Sequence, residues 1–183
     1  MNKPQPILAP EWRATRWFNT AQPPTLAELR GKVVVLHAFQ MLCPGCVSHG
    51  LPQAQRIQEL FGKDDVAVIG LHTVFEHHDV MNPAALEAFI HEYRWSFPIG
   101  VDQPEDPTGL PWTMRTYAMR GTPSLILIDR AGVLRKNSFG REDDLRVGAE
   151  IAFLVSEKSE RRQSAAPASG PSAAACTPDG CPV

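Results

Sequence analysis

A chain of 183 residues holds one domain of ordinary size with some length to spare. Hydrophobic residues make up 43% and charged residues 21%, the balance of a globular protein with a real core. A net charge of -2 gives no general attraction for nucleic acid or an anionic membrane, which argues against either as the main partner.

The opening residues, MNKPQPILAPEW, lack the charged start, apolar stretch and small-residue cleavage site of a secretory signal. No apolar run nears the roughly 18 residues of a membrane-spanning helix. A cytoplasmic protein without membrane attachment is therefore expected. In that reducing setting four cysteines point to catalysis, redox exchange or metal binding rather than to structural bridges.

A polar, proline-containing extension covers 1–24, followed by TLAELRGK, a short helical or turn segment punctuated by Gly31. VVVLHAF, 33–39, is a β-branched run of strand length, of the kind buried on both faces of a sheet. From Cys46 to Phe61, Leu51, Ala54, Ile57 and Leu60 fall on one helical face, and Gly62 supplies the stop. VAVIGL, 66–71, is a second buried strand. Residues 83–93 form a helix with Pro83 near its start and an apolar face of Leu86, Phe89, Ile90 and Tyr93. A short strand at 97–101 and a broken helix over 107–118 follow. SLILID and GVLRKNSF are two strands joined by a turn, and EDDLRVGAEIAFLV is a closing helix, acidic at its start as the helix dipole prefers. Strand–helix–strand units followed by a hairpin predict an α/β fold, a mixed sheet with helices on both faces. The domain so defined covers 25–155, and 156–183 is small, polar and proline-containing, the composition of a flexible tail.

The chemistry sits in QMLCPGCVSHGLP, 40–52. Cys43 lies where a buried strand gives way to a helix, so its sulfur faces unpaired N–H groups and the positive end of the helix dipole. Both favour thiolate over thiol. Pro44 suits a first helical turn, where a missing N–H costs nothing. Positions i and i+3 share a helix face, which brings Cys46 within disulfide reach of Cys43. In exchange chemistry Cys43 attacks a disulfide and Cys46 resolves the mixed disulfide. The same spacing serves zinc, which needs two further ligands such as Cys176 and Cys181, and two ordinary buried thiols are a third reading.

Four stretches together, LRGKVVVLHAF, CPGC, GTPSLILID and RAGVLRKNSFG, resemble thioredoxin-fold proteins over about 25–155. The similarity is greatest to TlpA/ResA-like thiol–disulfide oxidoreductases and looser to peroxiredoxins. It implies a thioredoxin-like three-layer fold and an enzyme acting on protein or small-molecule disulfides and thiols, with an upstream reductant or oxidant. It implies no cofactor and no metal, and a monomer or weak dimer. It also implies that Pro123 is cis and that the peptide group of Thr122 pairs with an extended substrate segment. Glu76 aligns roughly with a glutamate near the active site of ResA-like proteins, a possible proton relay whose alternative is a solvated loop carboxylate. His49, His77 and His78 are expected at the surface, and Asp102 in a turn.

The chain also departs from that pattern. Pro52 falls six residues after Cys46, where such oxidoreductases have five and peroxiredoxins six. A peroxidase with Cys46 as nucleophile is therefore the alternative. It would place Thr or Ser three before Cys46 and an Arg near position 123, where this chain has Cys43 and Pro123. A thiol-based metal-binding protein is the other alternative. The second cysteine pair, Cys176 and Cys181, flanks TPDG, good turn chemistry for bringing two thiols together. About twenty flexible residues from Ser156 would average about 25 Å end to end, a span compatible with a redox relay to Cys43.

Overall fold

The computed structural model describes residues 6–105 and 109–164. Its elements run β1 (Ala14–Phe18), β2 (Val33–Phe39), a π-helical turn (Cys46–Gly50), α1 (Leu51–Leu60), β3 (Val66–His72) and α2 (Pro83–Tyr93). They continue with β4 (Ile99–Asp102), α3 (Trp112–Thr116), β5 (Ser124–Ile128), β6 (Leu134–Phe139) and α4 (Asp144–Ser164). The strands form one mixed sheet in the order β1-β4-β3-β2-β5-β6. β2 is central, parallel to β3 and antiparallel to β5, and every one of its residues is buried.

Alternation along β2 divides the core in two. Val33, Val35 and Phe39 face α1, α2 and α4, against Leu51, Leu86, Ile90, Val147 and Ile151. Val34, Leu36 and Ala38 face the other way, against Trp12, Leu26, Met114 and Tyr117. Three-layer packing follows, with the motif at the carboxyl end of the central strand.

Two segments differ from expectation. Residues 14–18, placed in the polar extension, form edge strand β1, antiparallel to β4 with Phe18 opposite Ile99. Upstream of it Ala9 and Trp12 are buried in the second face of the core. The last helix does not stop near residue 155 but continues to Ser164. SEKSERRQS contains no proline or glycine, and its Glu, Lys, Arg and Gln are good helix formers.

Gly70 shows how tightly the first face is filled. A Cβ there would lie 2.9 Å from Phe97 Cε2 and 3.0 Å from Ile99 Cγ1, both buried. Gly70→Ala is expected to cost about 1–3 kcal/mol through overpacking. Urea unfolding checks it: the midpoint should drop with an unchanged slope, and an unaltered midpoint would show that this layer has slack.

Candidate active site

The chain leaves β2 at Phe39 and enters the helical segment through Gln40, Met41 and Leu42. Gln40 is buried and organises the approach. Its carbonyl accepts the Cys43 N–H at 3.2 Å. Its side chain accepts the Phe75 N–H at 3.4 Å and donates to Glu76 Oε1 at 3.3 Å. Glu76 is exposed and reaches the motif only through this amide.

Both thiols are free, Cys43 half-buried and Cys46 with 0% exposure. The Cys46 N–H points at Cys43 Sγ over 3.3 Å, a direct contact from an N-terminal helix donor to the outer sulfur. Cys43 Sγ also lies 3.4 Å from the Thr122 carbonyl oxygen. Burial, reinforced by the hydrogen bond with Cys43, pushes the Cys46 thiol up to about 12. The pair is therefore asymmetric: one sulfur is accessible, the other a protonated thiol in the core.

The Thr122–Pro123 peptide is cis, as the resemblance implied. Pro123 packs against the helix at two glycines. A Cβ on Gly45 would lie 3.3 Å from Pro123 Cδ, and one on Gly50 would lie 3.2 Å from Pro123 Cβ. Gly45 within the motif thus serves close approach. The π-helical turn between them carries the Leu51 N–H to the Cys46 carbonyl. Such a turn holds one residue more than an α-helical one. It accommodates the six-residue interval from Cys46 to Pro52 and keeps Pro52, which has no N–H, in the first turn of α1.

Several residues sit differently from expectation. Asp102 is no turn residue: it ends β4, is buried, and accepts from Thr73 Oγ1 (2.9 Å) and the N–H groups of Thr113 and Met114 (both 3.0 Å). Burial raises its pKa, and those hydrogen bonds oppose the rise. Its role is to hold the start of α3. His49 is half-buried, its ring bonded to the Glu142 carbonyl at 2.7 Å, whereas His77 and His78 are exposed. Cys176 and Cys181 lie outside the described residues.

His37 escaped the sequence reading. It shares the face of Val33, Val35 and Phe39, is buried, and its Nδ1 lies 3.6 Å from where a Gly50 Cβ would be. Desolvation, followed by the proximity of His49, lowers its pKa to about 4, against a hydrogen bond that the ring donates to the Gln53 side chain. Gln53 in turn donates to Asp144 Oδ1 at 2.7 Å and ties α1 to α4. The parity of position 37 within VVVLHAF was the available signal. Among the described residues no three His, Cys, Asp or Glu side chains converge as a metal site, and no helix is long and apolar enough to cross a membrane.

Comparison with known proteins agrees with this geometry. The model of the AhpC/TSA family matches residues 8–137. A solved thioredoxin-like superfamily protein is 60% identical, with a TM-score of 0.79 over 81% of this chain and 96% of that one. A thiol-disulfide isomerase from Corynebacterium glutamicum is 49% identical, with a TM-score of 0.77 over 81% and 97%. Protein DipZ of Mycobacterium bovis is 30% identical over 131 residues, 70% of this chain but 18% of that protein, so the chain spans under a fifth of that relative's length. With an accessible sulfur and a buried one beside a cis-proline loop on a thioredoxin-like fold, the chain belongs to the AhpC/TSA family.

Proposed function

We propose that Cys43 is the attacking thiolate and Cys46 the resolving thiol in the reduction of protein disulfides. Cys43 sulfur attacks one sulfur of the substrate, the substrate S–S bond breaks, and the released thiolate takes up a proton. Cys46 then loses its proton and attacks Cys43 sulfur. The second substrate thiol leaves, and the two electrons that reduced the substrate come from formation of the Cys43–Cys46 disulfide. The observation that carries this order is the contrast between a half-buried Cys43 receiving a helix N–H and a fully buried Cys46.

The same contrast weighs against peroxide attack by Cys46, since a peroxidatic sulfur must be an accessible thiolate. The test is a direct comparison: pre-reduced protein should reduce insulin disulfides at least about a hundredfold faster than it consumes hydrogen peroxide at equal concentration. Peroxide consumption that keeps pace, and that survives Cys43→Ser, would replace this reading with the peroxidase.

A further inference from the structure

Beside the motif a polar side chain sits where core packing calls for an apolar one. By the alternation of β2, position 40 continues the row of Val34, Leu36 and Ala38. The residue there is Gln40, 1% exposed. A buried amide costs desolvation and side-chain entropy that an apolar residue would largely avoid. The β2–β3 ladder closes just before it, with the Thr73 N–H on the Phe39 carbonyl at 3.0 Å. Beyond that point the Gln40 side chain carries the connection onward. Its Oε1 accepts the Phe75 N–H at 3.4 Å, and its Nε2 donates to Glu76 Oε1 at 3.3 Å.

The backbone of the same residue brackets the motif. Its carbonyl accepts the Cys43 N–H at 3.2 Å, and its N–H faces the Cys46 sulfur. Burial, then the hydrogen bond with Cys43, raises the Cys46 thiol; the Gln40 N–H opposes that rise, and the Thr122 hydroxyl adds to the opposition. Cys43 is the titratable group facing that sulfur. A negative charge formed on Cys46 therefore meets a backbone donor. The direction of that donor depends on how residue 40 is held, and the side chain is what holds it.

We propose that Gln40 is a positioning residue for the resolving step: its amide, fixed to the chain at 75–76, aims the residue's own N–H at the sulfur of Cys46. It touches no substrate and acts through the resolving sulfur. A donor set in place before charge develops stabilises that charge without having to reorganise during the reaction. Glu76 then acts on the amide rather than on the sulfur. This role rests on Cys43 attacking first, which leaves Cys46 as the sulfur that must ionise in place.

The test is the reaction of pre-reduced protein with one equivalent of the aryl disulfide DTNB, followed by the absorbance of the released arylthiolate. The Cys43 thiolate breaks the aryl disulfide and releases one arylthiolate. Cys46 then gives its proton to water, attacks Cys43 Sγ and releases the second. Each trace yields both rate constants. Gln40→Met keeps the bulk of the side chain and removes the amide. In that variant the ratio of the second rate constant to the first at pH 7 should fall about tenfold, and the pH profile of the second phase should move about one pH unit higher. A general loss of stability would move the urea midpoint but neither of these. Glu76→Ala, confined to an exposed side chain, should lower the same ratio about threefold. A Gln40→Met ratio within twofold of wild type, or a fallen ratio with the pH profile unmoved, overturns the role. If that variant does not fold, an unchanged ratio in Glu76→Ala overturns it. A fast first release that survives Cys43→Ser and is lost in Cys46→Ser would instead overturn the order of attack itself, so the two failures are distinguishable.

Discussion

Pre-reduced protein exposed to iodoacetamide at pH 7 should be alkylated at Cys43 and remain unmodified at Cys46, with rates at least about a thousandfold apart. The gap has two sources. A Cys46 thiol pushed up to about 12 leaves a thiolate fraction on the order of one in 10⁵ at pH 7, and its sulfur has no exposed surface. Cys43 is half-buried and receives the Cys46 N–H. Negative charge on Cys43 further raises its partner, because two anionic sulfurs cannot share this pocket cheaply. In the proposed order that repulsion would also time the reaction: a Cys43 tied up in a neutral mixed disulfide carries no charge, and Cys46 would then be easier to ionise. Cys43→Ser should therefore lose disulfide reduction by at least about a thousandfold. Cys46→Ser should still attack but stop at a mixed disulfide that mass spectrometry can map. Faster modification of Cys46 than of Cys43 would reverse the order of attack and remove the mechanism.

The motif and the central elements were legible because their signals are local. VVVLHAF and SLILID are continuous apolar runs that only a doubly covered strand can bury, and CPGC at a strand–helix junction carries its own electrostatics. What stayed hidden depends on contacts distant in sequence. β1, ATRWF, sets one arginine beside two aromatic residues at a sheet edge where no residue is fully buried, so it resembles a polar lead-in until β4 is beside it. Asp102 lies in a stretch rich in turn-forming residues. Its burial is decided by Thr73, 29 positions away, and by the N–H groups of α3. The π-helical turn was visible only as an irregular proline interval. Phe139 was recognisable as a strand residue, but its place against Gly121 required the hairpin and the cis-proline loop together.

The buried histidines give the protein an acid limit. His37 and His72 are both held near a pKa of about 4, chiefly by desolvation, against an ordinary value of 6.5. A depressed folded-state value means that the unfolded chain binds the proton more readily. The stabilisation is whole above pH 6.5 and is lost as pH falls toward 4. Each histidine accounts for on the order of 3 kcal/mol across that window, a large part of the total stability of a domain of this size. Asp102 works in the opposite sense, since its raised value favours the folded state on the acid side. Glu142 and Asp144 are held below their ordinary values of 4.5 and 3.8, so their loss comes at lower pH and does not blur the histidine window. His72 isolates the effect. Neither ring nitrogen has a hydrogen-bond partner, and the ring lies 5.2 Å from that of Phe39, so His72→Phe removes a titrating group without orphaning a partner. Urea unfolding at pH 7, 5.5 and 4.5 should show the variant losing only about half as much stability as the wild type. Equal losses in the two proteins would mean that His72 is already solvated in the folded state, and the acid limit would have to come from elsewhere.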